Sequence, residues 1–197
     1  MKVSREQAAE NGERILELAT RLFRERGIDG VNIADLMKSA GLTHGGFYGH
    51  FKSKQDLVAQ ACGLAISKMR QSWMKTIGEK PEDPIQALAD RYLTNEHRDH
   101  SGRGCPMAAI GTEIARQGPA VRHAVTEELR LFFDSLSRVL PGNSNSARRQ
   151  KAISTYALLV GGLVLARAVD DPALSGEVLQ AAAVSLRGEP SPTPVSS

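Results

Sequence analysis

The sequence lacks the features that mark secreted, membrane-spanning or disulfide-stapled proteins. Its two cysteines, Cys62 and Cys105, are too few for a disulfide framework, so we expect both to be thiols in a reducing compartment. No charge-free apolar run approaches the roughly 18 residues that a membrane span needs, and the longest run, residues 156–166, is typical of a buried helix. The N-terminal residues contain no apolar stretch of the signal-peptide type. Together these absences predict a cytoplasmic protein.

The sequence also has none of the motifs of the common enzyme classes. A phosphate-binding loop, a metalloprotease motif and a nucleophile elbow are all missing. One alternative is a cysteine-dependent hydrolase built on Cys105 and His100, but the sequence shows neither an oriented base nor an oxyanion hole. A metal site of His97, His100, Cys105 and His123 is disfavoured, because the H-x2-H-x4-C spacing matches no standard zinc pattern. We therefore predict no catalysis, no metal and no cofactor.

The chain carries a helical pattern instead. Apolar residues recur at helical spacing almost throughout its 197 residues, and no alternating strand pattern or internal repeat is found. The net charge of +3 permits a polyanionic partner without requiring one. We expect an all-α fold of about nine helices. After a short helical N-terminal part, they cover residues 53–77, 84 to about 97, 105–117, 119–140, 145–170 and 172–187.

These elements predict an N-terminal helix-turn-helix head, residues 1–52, on a larger helical body, residues 53–188. A final segment, residues 189–197, is predicted to be a disordered tail, because it is rich in proline and has almost no core residues.

The stretch LTHGGFYGHF, residues 42–51, interleaves three glycines with aromatic and histidine side chains. Phe47 and Phe51 lie four residues apart and share one helical face, so they are expected to pack on the preceding helix. The opposite face is left outward, and its glycines permit close backbone approach to a docked partner such as a DNA groove. Thr43 is predicted to cap this second helix. A helical hairpin with ordinary turn glycines is the alternative.

The string GIDGVNIADLMKSAGLTHGGFYGHFKSKQDLV, residues 27–58, strongly resembles the DNA-binding head of the TetR family of transcriptional regulators. The resemblance implies an all-α homodimer that binds roughly palindromic operator DNA, usually as a repressor, and a body that binds a small-molecule inducer. Matching positions imply phosphate contacts from Asn32, Thr43, Tyr48 and Lys54, and groove contacts from His44, Gly45, Gly46 and His50. The recognition helix contains no arginine or lysine, so the bidentate guanine contact is excluded within it.

By analogy with the same family, the helices at about 119–140 and 145–170 form the dimer interface. An apolar face supports this expectation, with Gly161 and Gly162 allowing another backbone to come close. The alternative is a core helix within one chain. The residues of that face are Ile153, Tyr156, Ala157, Val160, Leu163 and Val164.

Cys105 is the candidate regulatory residue of the body. It is predicted to begin a helix next to Arg103, and both a helix N-terminus and a nearby arginine favour a thiolate. This short segment is similar to that of N-ethylmaleimide-responsive, thiol-sensing repressors within the TetR family, which implies release from DNA by modification of Cys105. The alternative is a buried structural cysteine. The expected inducer pocket includes Met69, Trp73, Tyr92 and Met107, because methionine and aromatic side chains line adaptable apolar sites.

Overall fold

The structure, a computed structural model, describes residues 4–187, and the predicted tail at 189–197 lies outside them. The described residues form nine α-helices and two 3-10 helices, without a β-strand, so the predicted all-α fold is confirmed. The helices are α1 (Arg5–Arg26), α2 (Ile33–Ser39), α3 (Lys54–Glu79), α4 (Pro84–Tyr92), α5 (Asn95–Asp99), α6 (Pro106–Ile114), α7 (Pro119–Val139), α8 (Asn145–Ala168) and α9 (Pro172–Arg187); the 3-10 helices are His44–Gly49 and Ser101–Arg103.

Several helices begin and end where short-range signals in the sequence predict. Ser4 caps α1 by accepting the backbone N–H of Gln7, and the Asp83 side chain caps α4 ahead of Pro84. Gly27 ends α1 with a φ of 77°, a left-handed conformation that glycine adopts without strain. These contacts depend only on residues within one helical turn, which is why the sequence predicts them well.

Two predicted helices end elsewhere in the structure. The helix that begins at Pro84 ends at Tyr92 rather than near residue 97, because Leu93 leaves the helical conformation (φ −91°, ψ 62°) and Thr94 caps a separate helix, α5. The stretch before residue 105, which no predicted helix covers, contains the 3-10 helix Ser101–Arg103. The helix predicted over 105–117 ends at Ile114 and is broken at Ile110, whose φ of −133° is not helical.

The contacts divide the described chain into two compact units. One contains the described residues up to Met69 together with Ser101–Phe132, and the other contains Arg70–His100 together with the described residues from Phe133 onward. The first unit includes the whole helix-turn-helix region. The domain boundaries predicted at residues 52 and 188 remain predictions.

Each unit has its own apolar interior. In the first unit, Ile15, Phe23, Leu36 and Phe47 are among the side chains that are almost completely buried. In the second unit an aromatic cluster lies among the helices. Trp73 makes edge-to-face contacts with both Tyr92 and Tyr156, at ring-centroid distances of 5.6 Å. Burial of these side chains supplies the main driving force for packing the helices.

Candidate nucleic-acid interface

The segment His44–Gly49, which follows α2, is held in place by its phenylalanines. Phe47 is completely buried and Phe51 is 4% exposed, and their ring centroids lie 5.5 Å apart. The segment packs against α2, whose Leu36 and Met37 are also buried. The predicted packing of the two short helices is therefore present, and it turns the opposite face of the segment to solvent.

The recognition segment differs from the prediction in two local details. It is a 3-10 helix rather than an α-helix, and Thr43 makes no capping hydrogen bond with its side chain although it occupies the N-cap position. The predicted capping role of Thr43 is therefore wrong. Its exposed hydroxyl makes no cap contact, which leaves it available to an external phosphate.

Four of the eight residues predicted to meet DNA are exposed within or next to the recognition segment. Thr43, His44 and Gly45 are exposed, and Tyr48 is 64% exposed, which is a large fraction for an aromatic residue. The Tyr48 ring packs edge-to-face against the buried Phe47 ring, with the ring centroids 5.2 Å apart. This contact holds the exposed tyrosine in place. This arrangement presents a hydroxyl and an imidazole on one surface.

The three glycines of the segment are not required by the packing of the protein around them. Gly45 and Gly49 would each accept a Cβ with no other atom within 4 Å, and Gly46 would meet Thr43 and Met37 only at ordinary contact distances of 3.6 and 3.7 Å. None of the three has the positive φ that favours glycine. Neither packing nor backbone conformation therefore requires glycine at these three positions.

Asn32 and Lys54 lie at the first turns of the helices that flank the recognition segment. The Asn32 side chain accepts the backbone N–H of Asp35 at 2.9 Å and donates to the Asp35 carboxylate at the same distance, so it caps α2. Asn32 remains exposed, but this capping occupies both ends of its amide. Lys54 is the first residue of α3 and is half-buried.

The start of α3 is fixed by a reciprocal cap. Ser53 accepts the backbone N–H of Asp56, as the S-x-x-D pattern predicts, and the Asp56 carboxylate accepts the backbone N–H of Lys52 in return. Hydrogen bonds from Gln60 and from Lys52 lower the pKa of Asp56. The cap fixes the backbone on both sides of Lys54.

His50 lies at the edge of the outward face. It is half-buried, and its Nδ1 atom lies 3.4 Å from the position that a Cβ on Gly12 of α1 would occupy. A larger residue at position 12 would therefore crowd the imidazole. Sequence reasoning did not pair these two residues, because they are distant along the chain.

Cys105 occupies the N-cap position of α6, as predicted, but it is only 3% exposed and makes no side-chain cap. The arginine that interacts with it is Arg24 of α1, whereas the predicted neighbour, Arg103, is exposed to solvent. Burial lowers the pKa of Arg24, and the nearby Cys105, Glu25 and Cys62 act in the opposite direction. Burial also raises the pKa of the Cys62 thiol to about 12.

The residues predicted to line an inducer pocket are distributed over both units. Met69 and Cys105 belong to the first unit and are buried, and Met107 there is half-buried. Trp73 and Tyr92 belong to the second unit, where their rings are in contact. Their shared role as pocket residues remains a prediction.

The alternatives of catalysis and metal binding gain no support from the described residues. The His100 ring is bonded through Nδ1 to the carbonyl of Glu96 in its own helix, and Cys105 is buried. Within residues 4–187, no three His, Cys, Asp or Glu side chains are grouped so that they could hold a metal ion.

Comparison with protein families gives a match in the head. Residues 15–61, from the middle of α1 to the second turn of α3, match the family of bacterial regulatory proteins described as the tetR family. Among curated relatives, the transcriptional regulator AcrR of Shigella flexneri is 31% identical over 87 residues, which are 44% of this chain and 40% of that protein.

Other relatives match over longer stretches. The transcriptional repressor DhaR of Mycobacterium sp. (strain GP1) is 28% identical over 61% of this chain and 59% of its own length. LmrA of Bacillus subtilis (strain 168) is 25% identical over 78% and 84%. The chain thus spans about two fifths of AcrR and three fifths of DhaR.

Solved structures match the fold over most of the chain. The reduced form of NemR from E. coli superposes with a TM-score of 0.75, at 21% identity, over 90% of this chain and 95% of NemR. FadR of Bacillus subtilis, solved in complex with stearoyl-CoA, gives 0.62 at 16% identity, over 87% and 97%. A helix-turn-helix head on a larger helical body is common to such neighbours, which confirms the predicted fold class.

Proposed function

The chain belongs to the TetR family of bacterial regulatory proteins, and we propose that it is a DNA-binding transcriptional regulator, a homodimeric repressor of the cytoplasm. An inducer bound in the body, or modification of Cys105, releases it from a roughly palindromic operator. A non-enzymatic role agrees with this family.

The observation that carries the DNA-binding proposal is the outward face of the recognition segment. Gly45 and Gly49 have no internal reason to be glycine, and they lie beside the exposed His44 and Tyr48. A surface of this kind suits a duplex groove, where the backbone must come close to base edges and polar side chains reach phosphates. Sequence preference then depends on His44, on close backbone contact and on DNA shape, because no arginine or lysine lies within the segment.

The homodimer is supported by an apolar surface on the second unit. Along α8, Ile153, Val164 and Leu165 are 44%, 41% and 59% exposed, and Ala157 and Gly161 lie between them on the same side. A Cβ at Gly161 would meet nothing within 4 Å, so the helix leaves room there for a second backbone. Contiguous exposed apolar patches mark contact surfaces in soluble proteins, and a symmetric dimer covers both copies at once.

The length and composition of α8 also resemble those of a membrane-spanning helix. Helix α8 is the one described helix that is long and apolar enough to cross a membrane by length and composition, and 39% of its apolar window is buried within the chain. Thr155, Tyr156, Leu159 and Leu163 supply the buried side. A helix with one side in the core and the other against a second copy explains this composition without a membrane.

The effector of the body is a small apolar molecule or a thiol-reactive compound. The aromatic cluster around Trp73 favours an apolar inducer, and the structural neighbour FadR was solved with stearoyl-CoA. A thiol-reactive signal acts at Cys105, which lies at the N-terminus of α6.

The test begins with selection of a bound duplex from random double-stranded DNA by the full chain. Fluorescence anisotropy then measures the affinity for the recovered duplex at two salt concentrations, before and after N-ethylmaleimide, with wild type and Cys105→Ser. A repressor of the proposed kind selects a roughly palindromic sequence, and its affinity falls steeply as salt rises.

The outcomes separate the parts of the proposal. Loss of binding after treatment of wild type, with binding retained in Cys105→Ser, supports thiol release, whereas retention in both assigns release to a reversible inducer. Recovery of no sequence, or binding that is insensitive to salt, would contradict the DNA-binding function itself.

A further inference from the structure

A carboxylate from α6 holds the connection that leads into the helix-turn-helix. The Glu113 side chain accepts the backbone N–H of Ile28 through Oε2 at 2.6 Å. Ile28 comes directly after Gly27, where α1 ends, and its backbone amide is one that the helix itself does not satisfy. A charged acceptor on a backbone donor is among the stronger hydrogen bonds in proteins.

The backbone around this contact is shaped to receive the carboxylate. A Cβ at Gly27 would lie 2.9 Å from Glu113 Oε1 and 3.0 Å from Oε2, so any other residue there would push the side chain away from Ile28. Gly27 also has a positive φ. The same glycine therefore ends α1 and leaves the space that Glu113 fills.

A second contact joins the other end of α6 to the same turn of α1. Arg24 donates from Nε and Nη2 to the carbonyl oxygen of Gly102, at 2.9 and 2.5 Å, in the 3-10 helix that leads to Cys105. The Glu25 side chain occupies the place that a Cβ on Gly102 would need. The last turn of α1 is thus attached near both ends of α6, through Arg24 and through Glu113.

The connection between α1 and α2, which Glu113 holds at Ile28, determines where α2 and the recognition segment begin. Ile28 and Val31 are 2% and 4% exposed, and only Asn32 separates this buried anchor from α2. Since α2 packs directly on the recognition segment, a displacement at Ile28 moves both elements of the helix-turn-helix.

We propose that Glu113 is a positioning residue for DNA binding, whose contact with Ile28 sets the placement of the helix-turn-helix relative to α1. This inference rests on the proposed DNA-binding function and adds a residue of the body segment that acts on the head. The kink of α6 at Ile110 lies between Cys105 and Glu113, so α6 is not one continuous helix between these two residues. Placement of the helix-turn-helix therefore depends on Glu113 and not on Cys105.

The experiment compares full-length wild type with Glu113→Ala, Glu113→Gln and Thr112→Ala, using the duplex recovered by selection. Thr112 is the exposed neighbour of Glu113 on the same helix and serves as the matched control. Glu113→Ala should weaken DNA affinity by roughly tenfold, because it leaves the Ile28 N–H without its acceptor. Glu113→Gln keeps an amide oxygen that can accept the same N–H, so it should remain within about threefold of wild type.

Amide hydrogen exchange at Ile28 distinguishes positioning from a purely structural contact. Bound duplex should slow exchange of this amide in wild type and in Glu113→Gln, and should have no such effect in Glu113→Ala. Thermal unfolding of each variant checks that the affinity is measured on folded protein.

Equal DNA affinity of Glu113→Ala and wild type would overturn the inference, and so would exchange at Ile28 that does not respond to DNA in wild type. Failure of wild type to select any duplex would overturn the proposed function, and the inference with it. The wild-type result therefore separates the two failures.

Discussion

At the scale of single residues, the recognition segment places glycine where the folded chain does not need it. Gly45 and Gly49 cost backbone entropy, and neither a close neighbour nor a positive φ compensates inside the protein. Residues that lower stability without structural benefit are typical of binding surfaces. This argument leads to a prediction in which stability and DNA affinity change in opposite directions.

Gly45→Ala and Gly49→Ala should each leave the free energy of unfolding unchanged or raise it by up to about 1 kcal/mol. Each should also weaken DNA binding by roughly tenfold, because the added methyl group separates the backbone from the groove. Chemical denaturation and anisotropy measure the two quantities. Gly78→Ala is the matched control, since Gly78 lies in α3, is exposed, and also has open space around it. An alanine variant at position 45 or 49 that binds DNA as tightly as wild type would refute the close-approach argument.

The two cysteines differ in a way that predicts their order of reaction. Burial raises the pKa of Cys62 to about 12, so its reactive thiolate is almost absent near neutral pH. Cys105 is also buried, but it lies at the N-terminus of α6, and Arg24 interacts electrostatically with both thiols. N-ethylmaleimide should therefore modify Cys105 first, at a rate limited by local opening, and should leave Cys62 intact while the protein stays folded.

Intact-mass and peptide mass spectrometry follow this order directly. Cys105→Ser should remove the first addition in the folded protein, whereas denaturant should expose both thiols of wild type to the reagent. Labelling of Cys62 ahead of Cys105 under native conditions would contradict the assignment of Cys105 as the responsive thiol.

At the scale of helices, the sequence indicates the helix caps, which depend on neighbouring residues. It does not indicate the contacts that join segments far apart along the chain. The caps at Ser4, Asn32 and Ser53 all follow from side chains within one turn. The separate helix α5 was missed although the Thr94 hydroxyl accepts the backbone N–H of His97, because no glycine or proline marks the break after Tyr92. The capping residue Thr94 was the one local signal of the break.

The candidate site shows the same division. The outward placement of His44, Gly45 and Tyr48 followed from the spacing of two phenylalanines. The Glu113–Ile28 and Arg24–Gly102 contacts join segments that are far apart along the chain, so no sequence spacing encodes them. The 3-10 form of the segment also escaped prediction, because three glycines weaken the preference for an α-helix without specifying what replaces it.

Helix α8 shows how one apolar pattern can serve two surfaces. The sequence grouped Ile153, Tyr156 and Leu163 on one wide face, with a core helix as the alternative. In the structure Tyr156 and Leu163 are buried in the chain, whereas Ile153 is exposed. The two adjacent glycines also face different surroundings. Gly162 packs against α9, where an added Cβ would lie 2.8 Å from the Cβ of Ala182, whereas Gly161 faces open space.

At the scale of the whole molecule, the proposed regulator needs two recognition segments to read a palindromic site. One head contacts a single half-site, and the exposed row on α8 supplies the surface through which a second copy can join. DNA affinity should therefore depend on residues of α8 that never touch DNA, because dissociation of the dimer removes one of the two heads.

Leu165→Glu tests this dependence, because Leu165 is the most exposed apolar residue of α8. A carboxylate at that position would be buried against the second copy, so the dimer dissociation constant should rise by roughly a hundredfold. Sedimentation equilibrium measures the association, and anisotropy compares the full palindrome with an isolated half-site. The variant should bind the two duplexes with similar affinity, whereas wild type should strongly prefer the palindrome.

Gln71→Glu is the control, since it adds the same charge at an exposed position of α3. A Leu165→Glu protein that remains dimeric and keeps the preference for the palindrome would place the interface elsewhere and leave the apolar row on α8 for another partner.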